Sequence, residues 1–165
     1  MIAEKIFVAV SMIFSLLAVT MKKSWQIFVL SAIANLLVGV SFLILGNAAS
    51  GMSIAMVAFV QGTIASVYAI KNREFSILEK VLFFILYAFF GALNIEKVYD
   101  ALPLIAAMLC MAALFQKNEQ RIRVFNIANS ITWIIYDFLV ASTAFYSQLV
   151  FLLVNVVSLI AYRRK

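Results

Sequence analysis

The chain has 165 residues, 66% of them hydrophobic and only 12% charged, and its mean hydropathy is +1.09. Soluble domains carry about 25% charged residues, so water is the wrong solvent for this sequence, and its length leaves no room for a separate soluble catalytic domain. The net charge of +6 comes from Lys and Arg gathered at the ends of apolar runs; this is a topology signal and not the basic stripe of a nucleic-acid-binding protein.

A helix that crosses the hydrocarbon core needs about 20 mostly apolar residues, with about 17 to 25 tolerated. Seven such runs follow in chain order: 3–20, 25–45, 51–70, 77–93, 101–116, 124–141 and 147–162. They are continuously apolar, whereas barrel strands alternate over about ten residues, so the expected class is all-α, each helix satisfying its own backbone. The first run has no basic leader, Glu4 offsets Lys5, and no small-residue cleavage signal precedes Lys22 and Lys23. It is read as retained. Trp25, at the start of the second run, reads as an interfacial anchor. Gly39, Gly46, Gly51, Gly62 and Gly91 are expected to let helices approach closely, without a Gly-x-x-x-Gly dimer motif.

The basic residues alternate from one run end to the next. One side holds Lys22 and Lys23, then Lys71, Arg73 and Lys80, then Lys117, Arg121 and Arg123, then Arg163, Arg164 and Lys165; the other holds Lys5 and Lys97. Because cytoplasmic loops carry the excess, seven spans place the N-terminus outside and the C-terminus in the cytoplasm.

The chain also repeats itself. Shifted by 94 residues, Ile33-Ala34-Asn35 falls on Ile127-Ala128-Asn129. The same shift pairs Lys23 with Lys117, Gln26 with Gln120, Ser53 with Ser147, Tyr68 with Tyr162 and Lys71 with Lys165. Spans one to three thus map onto spans five to seven. Two odd-numbered units of one orientation need an extra crossing between them, and the fourth span supplies it. The expected organisation is a three-helix repeat over 1–73, a linker helix within 74–97 and a second, parallel three-helix repeat over 98–165, forming one membrane domain with sites near the midplane at the repeat interface.

The sixth run is the most polar. Asn126, Ser130, Trp133 and Asp137 recur at i, i+4, i+7 and i+11 and share one helical face, with Asn129 beside it. A carboxylate near the bilayer centre costs about 2.5 to 3.5 kcal/mol on insertion scales, so this face should avoid lipid. Asp137 reads as a proton or cation site, as an acceptor for substrate hydroxyl or amine groups, or as a carboxylate near the outer end of its helix that water reaches. With no histidine in the chain, any proton relay rests on Asp137 and neighbouring Tyr or Asn groups. Gln61 and Asn155 occupy one repeat position near mid-span, and Asn35 and Asn129 another nearer the cytoplasmic half. The second pair is expected chiefly to join helices by hydrogen bonds. Trp133 and Tyr136 are candidates to wall a cavity by stacking. Gln148, Asn155, Ser158 and Tyr162 on the seventh run, and Ser11 and Ser15 on the first, are expected to face the bundle interior.

The three-plus-one-plus-three plan resembles the SWEET and PQ-loop carriers over the whole chain. Closer in its letters, the chain is similar to the YgjV-type bacterial inner-membrane proteins at Leu102-Pro103, Ala113-Leu114-Phe115, Trp133-Ile134-Ile135 and Asn155. The resemblance implies a multi-pass protein of the bacterial inner membrane and midplane amides at Gln61 and Asn155 that serve a substrate as donors and acceptors. It departs at the prolines: SWEET carriers have several as hinges and a Pro-Gln pair, whereas this chain has Pro103 alone, followed by Leu104. Sugar transport by the same hinges is not carried over.

Cys110 is the only cysteine, so one chain builds neither a disulfide nor a cysteine metal site. Phosphate-binding loops, histidine metal motifs and Ser-x-x-Lys pairs are missing from the sequence. The expected function is a secondary carrier or facilitator for a small polar metabolite, working by alternating access. It is not an enzyme and has no cofactor or metal. Its expected partners are the lipid bilayer and a small-molecule substrate, without nucleic acid and with a homo-oligomer left open. The rival readings are a non-transporting receptor that binds a partner or ligand without moving it, an accessory subunit, which predicts satisfied polar contacts and no cavity, and a lipid-handling protein, which predicts a groove open to the membrane.

Overall fold

The computed structural model describes residues 2–21, 23–114 and 119–162, without the side chains of Val19, Thr20, Leu114, Glu119, Gln120, Ile122, Ser158, Ala161 and Tyr162. The topology charges Lys22, Lys117, Arg163, Arg164 and Lys165, the close of the fifth run at Phe115 and Gln116, and the Ser158 and Tyr162 side chains therefore lie outside the description.

The described residues form seven α-helices and no strand. These are α1 (Ile2–Thr20), α2 (Ser24–Leu45), α3 (Ala49–Ile70), α4 (Ile77–Ala92), α5 (Leu102–Leu114), α6 (Glu119–Leu139) and α7 (Ala144–Tyr162), with a short 3-10 turn (Val98–Ala101) ahead of α5. Each apolar run corresponds to one helix. The largest shift is at α6, which begins at Glu119, because Glu, Gln and Arg are good helix formers and carry the helix past its apolar run. By length and composition, α2 and α3, with 22 residues each, are able to cross a membrane.

Local chemistry sets several helix ends. Gly46 closes α2 in the left-handed region at φ 80°, donating its N–H to Phe42 O at 3.1 Å. Its expected role in close packing is corrected here: a Cβ at Gly46 would meet nothing within 4 Å, so the backbone conformation is what requires glycine. A capping box starts α4, where Ser76 Oγ accepts from Glu79 N and Glu79 Oε2 accepts from Ser76 N. The other Glu79 oxygen accepts from Tyr68 and Arg73, both at 2.6 Å, and this ties down the turn between α3 and α4.

In the bundle α2 packs on α1 and α3, and α6 packs on α5 and α7. Further contacts join α1 to α7 and α3 to α5, while α4 rests on α3 and α5. Only Phe83, Tyr87 and Gly91, spaced by four, are buried on α4; Ile77, Leu78, Leu82, Ile85 and Phe89 face outward. So large an outward apolar face belongs against hydrocarbon. One core cluster joins Ile54, Val57, Phe83, Tyr87, Ala107 and Met111. A second joins Phe42, Ala48, Tyr136 and Val140, and Trp133 packs against both.

Two acidic side chains bridge helix ends. Glu4, at the start of α1, accepts from Thr143 N and Oγ1 just ahead of α7, at 2.9 and 2.8 Å. Asp100, just ahead of α5, accepts from Ser50 Oγ at the start of α3 at 3.4 Å, and from Lys97 N and Glu96 N at 2.8 and 3.1 Å. Ser50 Oγ lies 3.0 Å from the Tyr136 hydroxyl, which accepts from Gly51 N at 3.1 Å. A Cβ at Gly51 would stand 2.7 Å from Tyr136 Cε1, so this contact needs glycine.

Candidate functional site

A cavity of about 300 Å³ lies at the centre of the bundle, and all seven helices contribute to its wall. The wall is polar where the sequence stripes run. Asn126, Ser130, Trp133 and Asp137 of α6 all line it, as do Asn129, Ser11 and Ser15 of α1, Asn35 of α2, and Ser147, Gln148 and Asn155 of α7. Helices α3 and α5 contribute small residues such as Ala55, Ala58, Ala106 and Ala107, which leave the space open. Among the described residues no Lys or Arg lines the cavity.

Of the seven candidate residues, Asn35, Asn129, Trp133, Asp137 and Asn155 come together here. Gln61 and Tyr136 stand behind the wall. Gln61 Oε1 accepts from the Tyr87 hydroxyl at 2.7 Å and its amide nitrogen approaches Met111 Sδ at 3.4 Å, while Tyr87 itself lines the cavity. Tyr136 is fully buried and meets Trp133 edge-on at 5.9 Å between ring centroids. Phe42 stacks on Trp133 at 6.0 Å, so these two rings fix its plane. The repeat mates Gln61 and Asn155 therefore differ in placement. The pair Asn35 and Asn129, expected to join helices, both face the cavity.

Hydrogen bonding distinguishes the lining groups. Ser11 Oγ donates to Ala34 O at 3.0 Å, and Asn155 Nδ2 donates to Phe151 O at 2.9 Å. Asn129 Oδ1 and both Asp137 carboxylate oxygens are buried and have no hydrogen-bond partner among the described residues. Asp137, two residues before the end of α6, has 0% exposure. The chain turns immediately after it: Ala141 adopts a left-handed φ of 57°, and Ser142 N donates to Asp137 O at 2.8 Å, closing α6. Ser142 Oγ then accepts from Ala144 N and opens α7.

Sequence reasoning missed Glu4, which is buried at 2% exposure and close enough to interact electrostatically with Asp137. Its position inside an apolar run was the available signal. Tyr87 and the Asp100–Ser50–Tyr136 network were also missed, and only tertiary proximity shows them.

A second cavity of about 350 Å³ shares Ser15, Ala34, Asn35 and Phe151 with the first and continues to Ala18, Ile27 and Ser31. It extends toward the end of the bundle that carries Lys23.

Nothing matches among the curated proteins, and nothing matches among the solved structures. A family model described as "Bacterial inner membrane protein", Imp-YgjV, matches residues 2–165. A match over nearly the whole chain agrees with helices whose apolar faces point outward around a polar interior, and the chain belongs to the Imp-YgjV family of bacterial inner membrane proteins.

Proposed function

We propose that the chain is a secondary carrier or facilitator that moves a small polar metabolite across the bacterial inner membrane by alternating access. The observation that carries this reading is the polar cavity walled by all seven helices. A bundle that served only as an anchor would have no reason to keep unpaired polar oxygens around such a space. In this reading all seven helices cross the membrane, with the N-terminus outside and the C-terminus in the cytoplasm. Residues 1–73 and 98–165 form parallel three-helix units, and 74–97 carries the linker helix.

Two features support the parallel units. The packing of α1 on α2, α2 on α3 and α1 on α7 has its counterpart in α5 on α6, α6 on α7 and α5 on α3. An axis along the membrane normal generates that pattern, and α4 falls outside it. The acidic bridges follow the same exchange, since Glu4 at the head of the first unit reaches α7 and Asp100 at the head of the second reaches α3.

Alternating access is supported by the unequal ends of the cavity. Both acidic bridges join helix ends at the Asp137 end, while the adjoining cavity leads toward the Lys23 end. That is the form of an inward-facing carrier. Asn35, Asn129, Trp133, Asp137 and Asn155 contact the cargo; Gln61 orients Tyr87, and Tyr136 seats Trp133. Asp137 is also the proton-coupling site of this proposal. The test is uptake into proteoliposomes of labelled neutral, cationic and anionic small solutes by the purified full-length chain. Saturable uptake of at least one is expected. Binding without uptake would make the protein a receptor. For topology, a cytoplasm-active reporter fused after Lys165 is expected to work, and activity there of an outside-active one sinks the arrangement.

A further inference from the structure

We infer that the cavity selects a small primary amine carrying a second hydrogen-bond donor, with its ammonium group seated on Asp137. The passage of that amine rests on the carrier reading; its binding does not.

Asn129 and Asp137 are among the residues that line the cavity, and three of their buried oxygens have no hydrogen-bond partner among the described residues: Asp137 Oδ1, Asp137 Oδ2 and Asn129 Oδ1. In its ionised form Asp137 offers two acceptors and Asn129 Oδ1 offers a third, so an occupant that meets these oxygens has to donate. A buried carboxylate is costly unless an opposite charge or strong donors meet it, and no Lys or Arg among the described residues lines this cavity. Glu4 lies near enough to add to the negative potential at the same end, while its Oε1 is already occupied by Thr143. When Asp137 is ionised an anionic cargo is repelled there, and a neutral one leaves the charge unmet. A cation is attracted.

The kind of cation follows from where the acceptors stand. Asn129 and Asp137 lie eight residues apart on α6, about 12 Å along its axis, with Ser130 and Trp133 between them on the cavity wall. A metal ion gathers about six oxygens around one point, which a carboxylate at one end and an amide two turns away do not provide. An alkylammonium group presents three N–H donors to the two carboxylate oxygens and their surroundings. Its carbon chain runs past Trp133, and a donor at the far end meets Asn129 Oδ1. The space of about 300 Å³ equals that of about ten waters and admits a chain of roughly four to six carbons.

The test uses the purified full-length protein in lipid nanodiscs, read by tryptophan fluorescence and thermal stability. Five four-carbon probes are titrated: 4-aminobutan-1-ol, 1,4-diaminobutane, butylamine, butane-1,4-diol and 4-hydroxybutanoate, with sodium chloride as a further arm. Saturable binding of the first two is expected, at least tenfold tighter than that of the diol or the hydroxy acid. Butylamine, lacking the second donor, binds several-fold more weakly. Asp137→Asn weakens amine binding at least tenfold, and Asn129→Leu brings 4-aminobutan-1-ol down to the level of butylamine. The inference is overturned if neither amine binds saturably, if the diol binds as tightly as the amines, if sodium alone reproduces the response, or if Asp137→Asn binds undiminished. The comparison of probes on the wild-type protein decides the matter even where a variant fails to fold. Amine binding without uptake overturns the carrier reading and leaves the site standing. Uptake of the diol or the hydroxy acid without amine binding does the reverse.

Discussion

Asp100 and Asp137 are buried carboxylates in neighbouring parts of the same end of the bundle, and their surroundings are opposite. Asp100 accepts from two backbone N–H groups and from Ser50, which in turn meets Tyr136. Asp137, the next residue after Tyr136, accepts from no described group through either oxygen. The first carboxylate is fully employed in holding the turn before α5 against α3. The second leaves its hydrogen-bonding capacity to the cavity. A protein tolerates a buried polar group without a partner chiefly where something else is meant to meet it, so under the proposed reading the contrast separates a structural acid from a functional one.

The largest expected effect is the loss of function at Asp137. Asp137→Asn should lower cargo uptake at least tenfold and abolish any pH dependence of uptake, while denaturant titration in detergent shows stability unchanged or raised, because an unpaired charge has been removed. Unchanged proton coupling would take Asp137 out of the mechanism, and a large stability loss would make it another Asp100. The converse change, Asp100→Ala, should cost about 1 to 3 kcal/mol of stability, since two backbone N–H groups and Ser50 lose a charged acceptor. Cargo affinity in the folded fraction should stay within about threefold. A neutral result would break the comparison from the other side.

Next in size is Gly51→Ala, whose Cβ would stand 2.7 Å from Tyr136 Cε1. Overpacking of this kind costs about 1 to 3 kcal/mol and should loosen the seat of Trp133, seen as a red shift in tryptophan emission. The smallest effect is expected at Ala141, which holds a left-handed φ of 57° directly after α6. Ala141→Gly should stabilise the chain by about 1 kcal/mol without altering uptake, and destabilisation would mean that the Ala141 methyl packs more than its backbone strains.

Much of the fold was legible in the sequence because a membrane makes helices nearly compulsory for long apolar runs. All seven runs correspond to helices, with ends displaced by a few residues. The polar face of the sixth run was legible for a similar reason: Asn126, Ser130, Trp133 and Asp137 share a face by helical period alone, and all four line the cavity. Equivalence in the repeat was a poorer guide to the site. It placed Gln61 beside Asn155 in role, yet the Tyr87 hydroxyl occupies Gln61 and stands between it and the cavity. Gly46 was misread because glycine serves both close packing and left-handed backbone, and only the surrounding space tells the two apart.

The sequence by itself determined the solvent, the number of helices and the polar faces of the first, sixth and seventh, since these follow from hydrophobicity and the 3.6-residue period acting within single segments. The tertiary structure alone decided which of two nearby buried aspartates is satisfied, that Glu4 is within electrostatic reach of Asp137, and that a second cavity adjoins the first toward Lys23. Those outcomes depend on contacts between residues up to 139 positions apart, which no local pattern encodes.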